Sequence, residues 1–250
     1  MVDPIASVRE RMADGIVLVT LARPPVNALD NASLRTLCEL FERVAVEPQV
    51  RGVILTGEGS RFCAGGDFKE LRGFGRERGV ERVRLGHRLL VALDRLDRPF
   101  ACAINGDAVG GGCEFCVFAD HRVALSTARF GMPEINNGLL PMAKGMQQLV
   151  RILGPRTARR LLFTGELITA REARDLGIVD ALAEPGELLE RAHAWTRAAA
   201  AKSPRLFAAM KRTVRGTGQL SDEDLERVTI EDFETYFRPL DMEPPKTDSA

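Results

Sequence analysis

At 250 residues and 27.4 kDa the chain is long enough for one large domain or two modest ones around a substantial hydrophobic core. Its 45% hydrophobic and 28% charged residues exclude a disordered chain, and 35 basic side chains set against 35 acidic ones imply no polyanion-binding tail. No apolar run approaches the roughly 18 to 20 residues that a spanning helix needs; the N-terminus, with Asp3, Arg9, Glu10, Arg11 and Asp14, shows neither a secretory signal nor a lipidation motif, so a cytoplasmic protein without membrane partners is expected.

In chain order, the β-rich run Ile16 to Leu21 predicts a strand, followed by the turn Arg23-Pro24-Pro25. Leu34, Leu37, Leu40, Phe41 and Val44 then recur at helical spacing within 33–47. Gly52 to Gly57 predicts a short buried strand that runs into the small-residue loop 58–66 and on into a charged helix. A helix over 80–96 ends ahead of Pro99, and the strand Phe100 to Ile104 leads through a second glycine-rich turn into another helix ending near Phe118. His121 to Leu125 predicts one more strand, and 131–141 a loop rich in Gly, Pro and Asn. Beyond it the chain is mostly helical. Thr169 and Glu172 have capping-box spacing, and Ser221 ahead of Asp222, Glu223 and Asp224 suits a helix start. An aromatic helix is expected at 231–240 and a loosely attached tail at 239–250.

Repeated strand-helix units followed by helices indicate the α/β class. The division expected is a core over 1–186 that carries the site and a C-terminal helical section over 187–250. Cys38, Cys63, Cys102, Cys113 and Cys116 are odd in number and set among apolar neighbours, which fits reduced, buried thiols; one Cys-x-x-Cys pair without partners is weak evidence for zinc, and no metal site is expected.

Two glycine-rich loops carry the chemistry: Cys63-Ala64-Gly65-Gly66-Asp67 and Gly106 to Gly112, each after a buried strand and each expected to enter a helix. The first N–H groups of a helix lack internal partners and point outward with the positive end of the dipole, so two such turns face to face make a two-donor oxyanion hole. The same loops also read as tight turns in which glycine only supplies unusual φ angles. Neither matches a dinucleotide fingerprint or a P-loop, which disfavours hydride and phosphoryl transfer. Glu114 is the one ionisable side chain amid Cys113, Phe115, Cys116, Val117 and Phe118. Apolar neighbours raise its pKa and a helix start lowers it, leaving the net direction open. Glu134 lies in the Pro- and Gly-bracketed stretch 131–138. Two glutamates beside an oxyanion site suit water addition.

At these residues the chain resembles the crotonase superfamily, the enoyl-CoA hydratase/isomerase family. Arg23 to Leu29 looks like the family's early CoA-side loop, Phe62 to Leu71 like its first oxyanion-hole segment, and Asn105 to Glu114 like its second. Phe130 to Glu134 with Gly138 to Pro141 is similar to its second catalytic segment, and Leu162 to Gly165 with Ala170 to Val179 to its "LTG…A..A…GLV" stretch. The resemblance implies a crotonase-like repeated ββα superhelical core with a C-terminal helical trimerisation section. It also implies a homotrimer or dimer of trimers, with no cofactor beyond the coenzyme A of an acyl-CoA thioester substrate. Carried over by position, it assigns Gly66 and Gly111 to the oxyanion hole, Glu114 and Glu134 to catalysis, and Ala64, Gly66, Asp67, Phe68, Lys69 and Gly111 to substrate binding.

Both glutamates being present favours hydration of a 2-enoyl thioester over isomerisation, decarboxylation or hydrolysis on the same scaffold. The run Gly138 to Leu149 departs from the family's "GLxPGxGGTQRL" pattern, with Met142 and Lys144 in place of small residues, so the wall beside the acyl group is expected to differ; a missing family closing helix makes a carrier-protein-tethered substrate an alternative. Six arginines within 72–88 read as a solvated helix, or as a grip for CoA phosphates or RNA; the zero net charge and lack of interleaved aromatics argue against nucleic acid.

Overall fold

A computed structural model describes residues 8–216, 221, 223–227 and 230. Strands β1 (Val8–Ala13) and β2 (Ile16–Leu21) form a hairpin around Asp14-Gly15, both at positive φ (52° and 74°), the backbone that a two-residue Asp-Gly turn adopts. Helix α1 (Asn31–Val46) opens on Asp30, whose carboxylate accepts from Ser33 N–H at 2.7 Å, and its stripe Leu34, Leu37, Leu40, Phe41 and Val44 is buried as the spacing predicts. Strand β3 (Gly52–Gly57), the single-turn helix α2 (Phe68–Leu71) and helix α3 (Arg76–Asp94) follow, so the charged helix expected after the first glycine loop is a single turn and the helix expected over 80–96 begins earlier, at Arg76. Next come β4 (Phe100–Ile104), β5 (Ala108–Val109), α4 (Gly111–Phe118), β6 (His121–Leu125) and β7 (Arg129–Gly131). The stretch read as loop from Gly131 holds a 3-10 turn, Pro133–Asn137. The chain continues through α5 (Ala143–Thr164), kinked at Gly154 (φ 71°) ahead of Pro155, then β8 (Ile168–Thr169), α6 (Ala170–Asp175), β9 (Ala181–Ala183), α7 (Leu188–Ala200) and α8 (Pro204–Gly216).

The main sheet has the order β1-β2-β3-β4-β6-β9, parallel throughout except at β1–β2. Parallel strands covered on both faces need apolar residues at every position, and β3 and β4 are buried from end to end. One face packs Leu55, Phe100 and Cys102 against Leu37, Phe41, Leu89 and Phe115. On the other, Ile16, Ile54, Ala101 and Val123 meet Leu188 and Ala192 of α7. The C-terminal section expected from residue 187 thus begins with a helix seated on the sheet. A second sheet, β5-β7-β8, pairs Val109 with Gly131 and so brings the stretch after β7 beside the second glycine loop.

Strand β1 was not foreseen. It is an edge strand with only Val8 buried, and its charged residues hide the alternation that marks a strand. All five cysteines are free and buried, as expected. Thr169 Oγ1 accepts from Glu172 N–H at 3.2 Å, but the Glu172 carboxylate accepts from Arg160 Nη2 at 2.7 Å, leaving half a capping box. Ser221 Oγ accepts from Asp224 N–H at 3.1 Å ahead of a helical turn at 223–227. The aromatic helix expected at 231–240 and the tail at 239–250 lie outside the described residues. Among those described, no helix is long and apolar enough to cross a membrane and no group of His, Cys, Asp and Glu has metal-binding geometry.

Candidate active site

Both glycine loops leave the carboxyl ends of central strands, β3 and β4, where open α/β sheets present their loops together. They are laced by a parallel bridge between Cys63 and Ala108: Cys63 N–H donates to Asp107 O at 3.1 Å and Val109 N–H to Cys63 O at 2.9 Å. The approach tolerates no side chain. A Cβ on Gly112 would lie 2.4 Å from Cys63 O, and one on Gly65, whose φ is 81°, would lie 2.9 Å from Val109 O and 3.2 Å from Gly111 N.

The amide of Gly111 is free because it opens α4: the carbonyl four residues behind it, Asp107 O, lies outside the helix and accepts from Cys63 N–H instead. The amide of Gly66 is free for another reason, which corrects the expectation that both loops enter helices at their glycines. A second bridge pairs Leu29 with Gly66 through Leu29 N–H to Gly65 O (2.7 Å) and Asp67 N–H to Leu29 O (2.9 Å), and this phase leaves out the N–H of Gly66 itself. Among the described residues neither amide donates to a backbone acceptor.

Both glycines line a cavity of about 480 Å³, and Glu114 and Glu134 line it with them. Consecutive glycines face the two acids: a Cβ on Gly110 would sit 2.7 Å from Glu134 Oε1, and one on Gly111 would sit 3.8 Å from Glu114 Oε2. Glu114 is only 6% exposed, and its Oε1 accepts from Met142 N–H at 2.9 Å. Room for it comes from Gly145 of α5, where a Cβ would lie 2.4 Å from the same oxygen. Burial pushes Glu114 up to about 8, the Glu134 charge adds to this, and the Met142 N–H and Arg82 pull the other way without prevailing. The direction that sequence left open is therefore upward. Glu134, on the 3-10 turn, is also raised by burial, and its Oε2 is buried with no hydrogen-bond partner among the described residues.

The other expected binding residues divide. Ala64 and Phe68 line the cavity, whereas Asp67 and Lys69 stand outside the lining. Asp67 caps α2, accepting from Lys69 N–H at 2.8 Å, and pairs with Arg23 Nη2 at 2.5 Å; Lys69 is exposed. Of the two residues that depart from the family pattern, Met142 lines the cavity, but Lys144 turns away, its Nζ 2.6 Å from Asp94 Oδ2.

Sequence reasoning missed Arg82. Within the arginine-rich helix Arg78 pairs with Glu70 and Arg88 with Glu42, as a solvated face does, but Arg82 lines the cavity beside Gly66. The signal was its place four residues before Gly86 and seven before Leu89, on the buried stripe of α3. Gly145 was missed too, because nothing local marks a glycine whose neighbour arrives from another helix.

A sequence model of the family described as Enoyl-CoA hydratase/isomerase matches residues 11–243. The short-chain-enoyl-CoA hydratase of Clostridium acetobutylicum is 37% identical over 179 residues, 71% of this chain and 69% of that protein. Among solved structures, Pseudomonas aeruginosa DspI superposes with a TM-score of 0.89 at 28% identity, covering 96% of this chain and 98% of the other. The enoyl-CoA hydratase from Bacillus anthracis gives a TM-score of 0.87 at 29% identity over 92% and 91% of the two chains.

Proposed function

The chain belongs to the enoyl-CoA hydratase/isomerase family, and we propose that it adds water across the 2,3 double bond of an acyl-CoA thioester. The observation that carries this reading is the convergence of a buried glutamate, Glu114, a half-buried one, Glu134, and two amides without backbone acceptors on one cavity.

The thioester oxygen accepts from the N–H groups of Gly66 and Gly111. Polarised this way, the enoyl group is electrophilic at Cβ, and the enolate that develops as water attacks is the species that fixed donors stabilise most. Burial and the neighbouring Glu134 charge hold Glu114 at about 8, so near neutral pH Glu114 carries a proton that the pair can exchange. In the empty cavity that proton rests on Glu114; through the bound water it passes to Glu134. Glu134 then gives it to Cα while the water adds its hydroxyl to Cβ and its remaining proton goes to Glu114. The pair ends with one proton, as it began. Two carboxyls relay the protons and two amides stabilise the developing charge in this scheme, which calls on no metal or redox cofactor. Ala64, Phe68 and Lys69 border the path by which the pantetheine arm approaches. The working form we propose is a homotrimer or dimer of trimers in the cytoplasm, with the helices after residue 187 at the subunit contacts.

The test is hydration of but-2-enoyl-CoA, followed by the mass gain of one water, in Glu114→Gln and Glu134→Gln. Each folded variant is expected to lose about 100- to 10,000-fold in kcat. Wild-type turnover in both would overturn the assignment.

A further inference from the structure

Arg82 is a cation set into the wall of an otherwise largely apolar cavity. Its Nη1 donates to Leu29 O at 2.8 Å, and among the described residues it enters no salt bridge. Its Nη2 reaches the Gly66 end of the cavity, where a Cβ on that glycine would lie 3.1 Å away. The acids whose charge reaches it are engaged elsewhere. Glu70 accepts from Asn31 N–H (3.0 Å) and Arg78 (3.0 Å), Asp30 from Ser33 (2.7 Å) with Arg23 at 3.2 Å, and Glu114 holds the proton of the catalytic pair near neutral pH. A guanidinium withdrawn from water without a carboxylate is unfavourable, and its planar fork is shaped for two carboxylate oxygens. The missing anion has room to arrive with the substrate.

Resting on the hydration reading, we infer that Arg82 determines acyl specificity, and that the preferred substrate is a short 2-enoyl thioester whose acyl chain carries a second carboxylate. Leu71 shares the Gly66 end of the cavity with the guanidinium, a Cβ on that glycine lying 3.0 Å from Leu71 Cδ1, and Val83 and Met142 add apolar surface to the same lining. The alternative is that Arg82 only strengthens the oxyanion site next door. That role would favour all thioesters alike.

The experiment has a binding arm and a turnover arm. Calorimetry compares succinyl-CoA with butyryl-CoA, and glutaryl-CoA with pentanoyl-CoA, on the wild-type protein, on Arg82→Met and on Arg82→Lys. The carboxylated member of each pair is expected to bind about 10- to 100-fold more tightly to the wild type, as one charge-assisted paired contact provides. The preference should vanish in Arg82→Met and return in part in Arg82→Lys. In turnover, the ratio of kcat/KM for 4-carboxybut-2-enoyl-CoA over but-2-enoyl-CoA should fall by a similar factor in Arg82→Met. No preference in the wild type, or an equal loss on both substrates in the variant, overturns the inference. Carboxylate preference in binding without water addition to either enoyl thioester would instead overturn the hydration reading and leave the anion subsite standing.

Discussion

The two glycine loops deliver the same thing, an N–H with nothing to donate to, by unlike means. At Gly111 the amide is free because a helix starts there: α4 is eight residues long counting Gly111, and Gly110 turns the chain into it with φ 55° and ψ −122°. At Gly66 no helix starts. Helix α2 begins two residues later and lasts one turn, and the amide is spared by the phase of a parallel bridge with Leu29. A donor at a helix start depends on the conformation just before it, whereas a donor beside a bridge depends on the strand that makes the bridge. Loops that look interchangeable as glycine-rich sequence should therefore break differently.

The largest effect is expected from Gly110→Ala. A side chain there meets Glu134 Oε1 at 2.7 Å and forces a positive φ on a non-glycine residue, so one substitution disturbs both a donor and an acid. Hydration should fall by upwards of about 1,000-fold in a protein that still folds, measured as kcat on but-2-enoyl-CoA with circular dichroism as the control. Gly65→Ala strikes the other loop, wedging a methyl against Val109 O and the Gly111 amide. The loss of one aligned donor predicts a decrease of about 100- to 1,000-fold, chiefly in kcat. Equal damage from the two would argue that the loops act as one rigid body.

A thermal measurement sharpens the comparison on the acid beside the helix start. Because burial lifts Glu114 from the ordinary 4.5 to about 8, the folded chain retains a proton that the unfolded chain releases across that interval. Stability is thus lost as pH rises from about 4.5 to about 8. Glu114→Gln removes the penalty, so its Tm should match the wild type's near pH 4 and exceed it at pH 9, with activity lost at both. The smallest effect belongs to Asp67→Ala, which uncaps α2 and leaves Arg23 with Asp30 as its acidic partner. It should cost about 1 kcal/mol in denaturant unfolding yet change kcat within a few fold, because Leu29 and not α2 holds Gly66. A collapse of kcat in Asp67→Ala would mean that α2 orients the amide after all.

The strands at 16–21, 52–57, 100–104 and 121–125 stand where the β-rich runs place them, because a parallel sheet covered on both faces writes itself as uninterrupted apolar sequence. Strand β1 pairs along its whole length but on one edge only and faces solvent, and the Asp14-Gly15 turn is the local feature that marks it. The site was legible to the extent that its groups sit in local motifs: both glycine loops and both glutamates meet in one cavity. What escaped was set by long-range approach. The free amide of Gly66 depends on Leu29, the pKa of Glu114 on Glu134 and Met142, and the inward turn of Arg82 on which side of α3 the cavity occupies. Asp67 and Lys69 share the first motif yet point to other duties, one to a cap and one to solvent.

The hollow that Gly145 leaves for the Glu114 carboxyl has a consequence for how such a protein can drift. A single added methyl on α5 would evict the acid without altering any residue that handles the thioester, turning a water-adding catalyst into one that merely binds and polarises. The boundary between reactions on this scaffold can therefore run through a position that never meets the substrate.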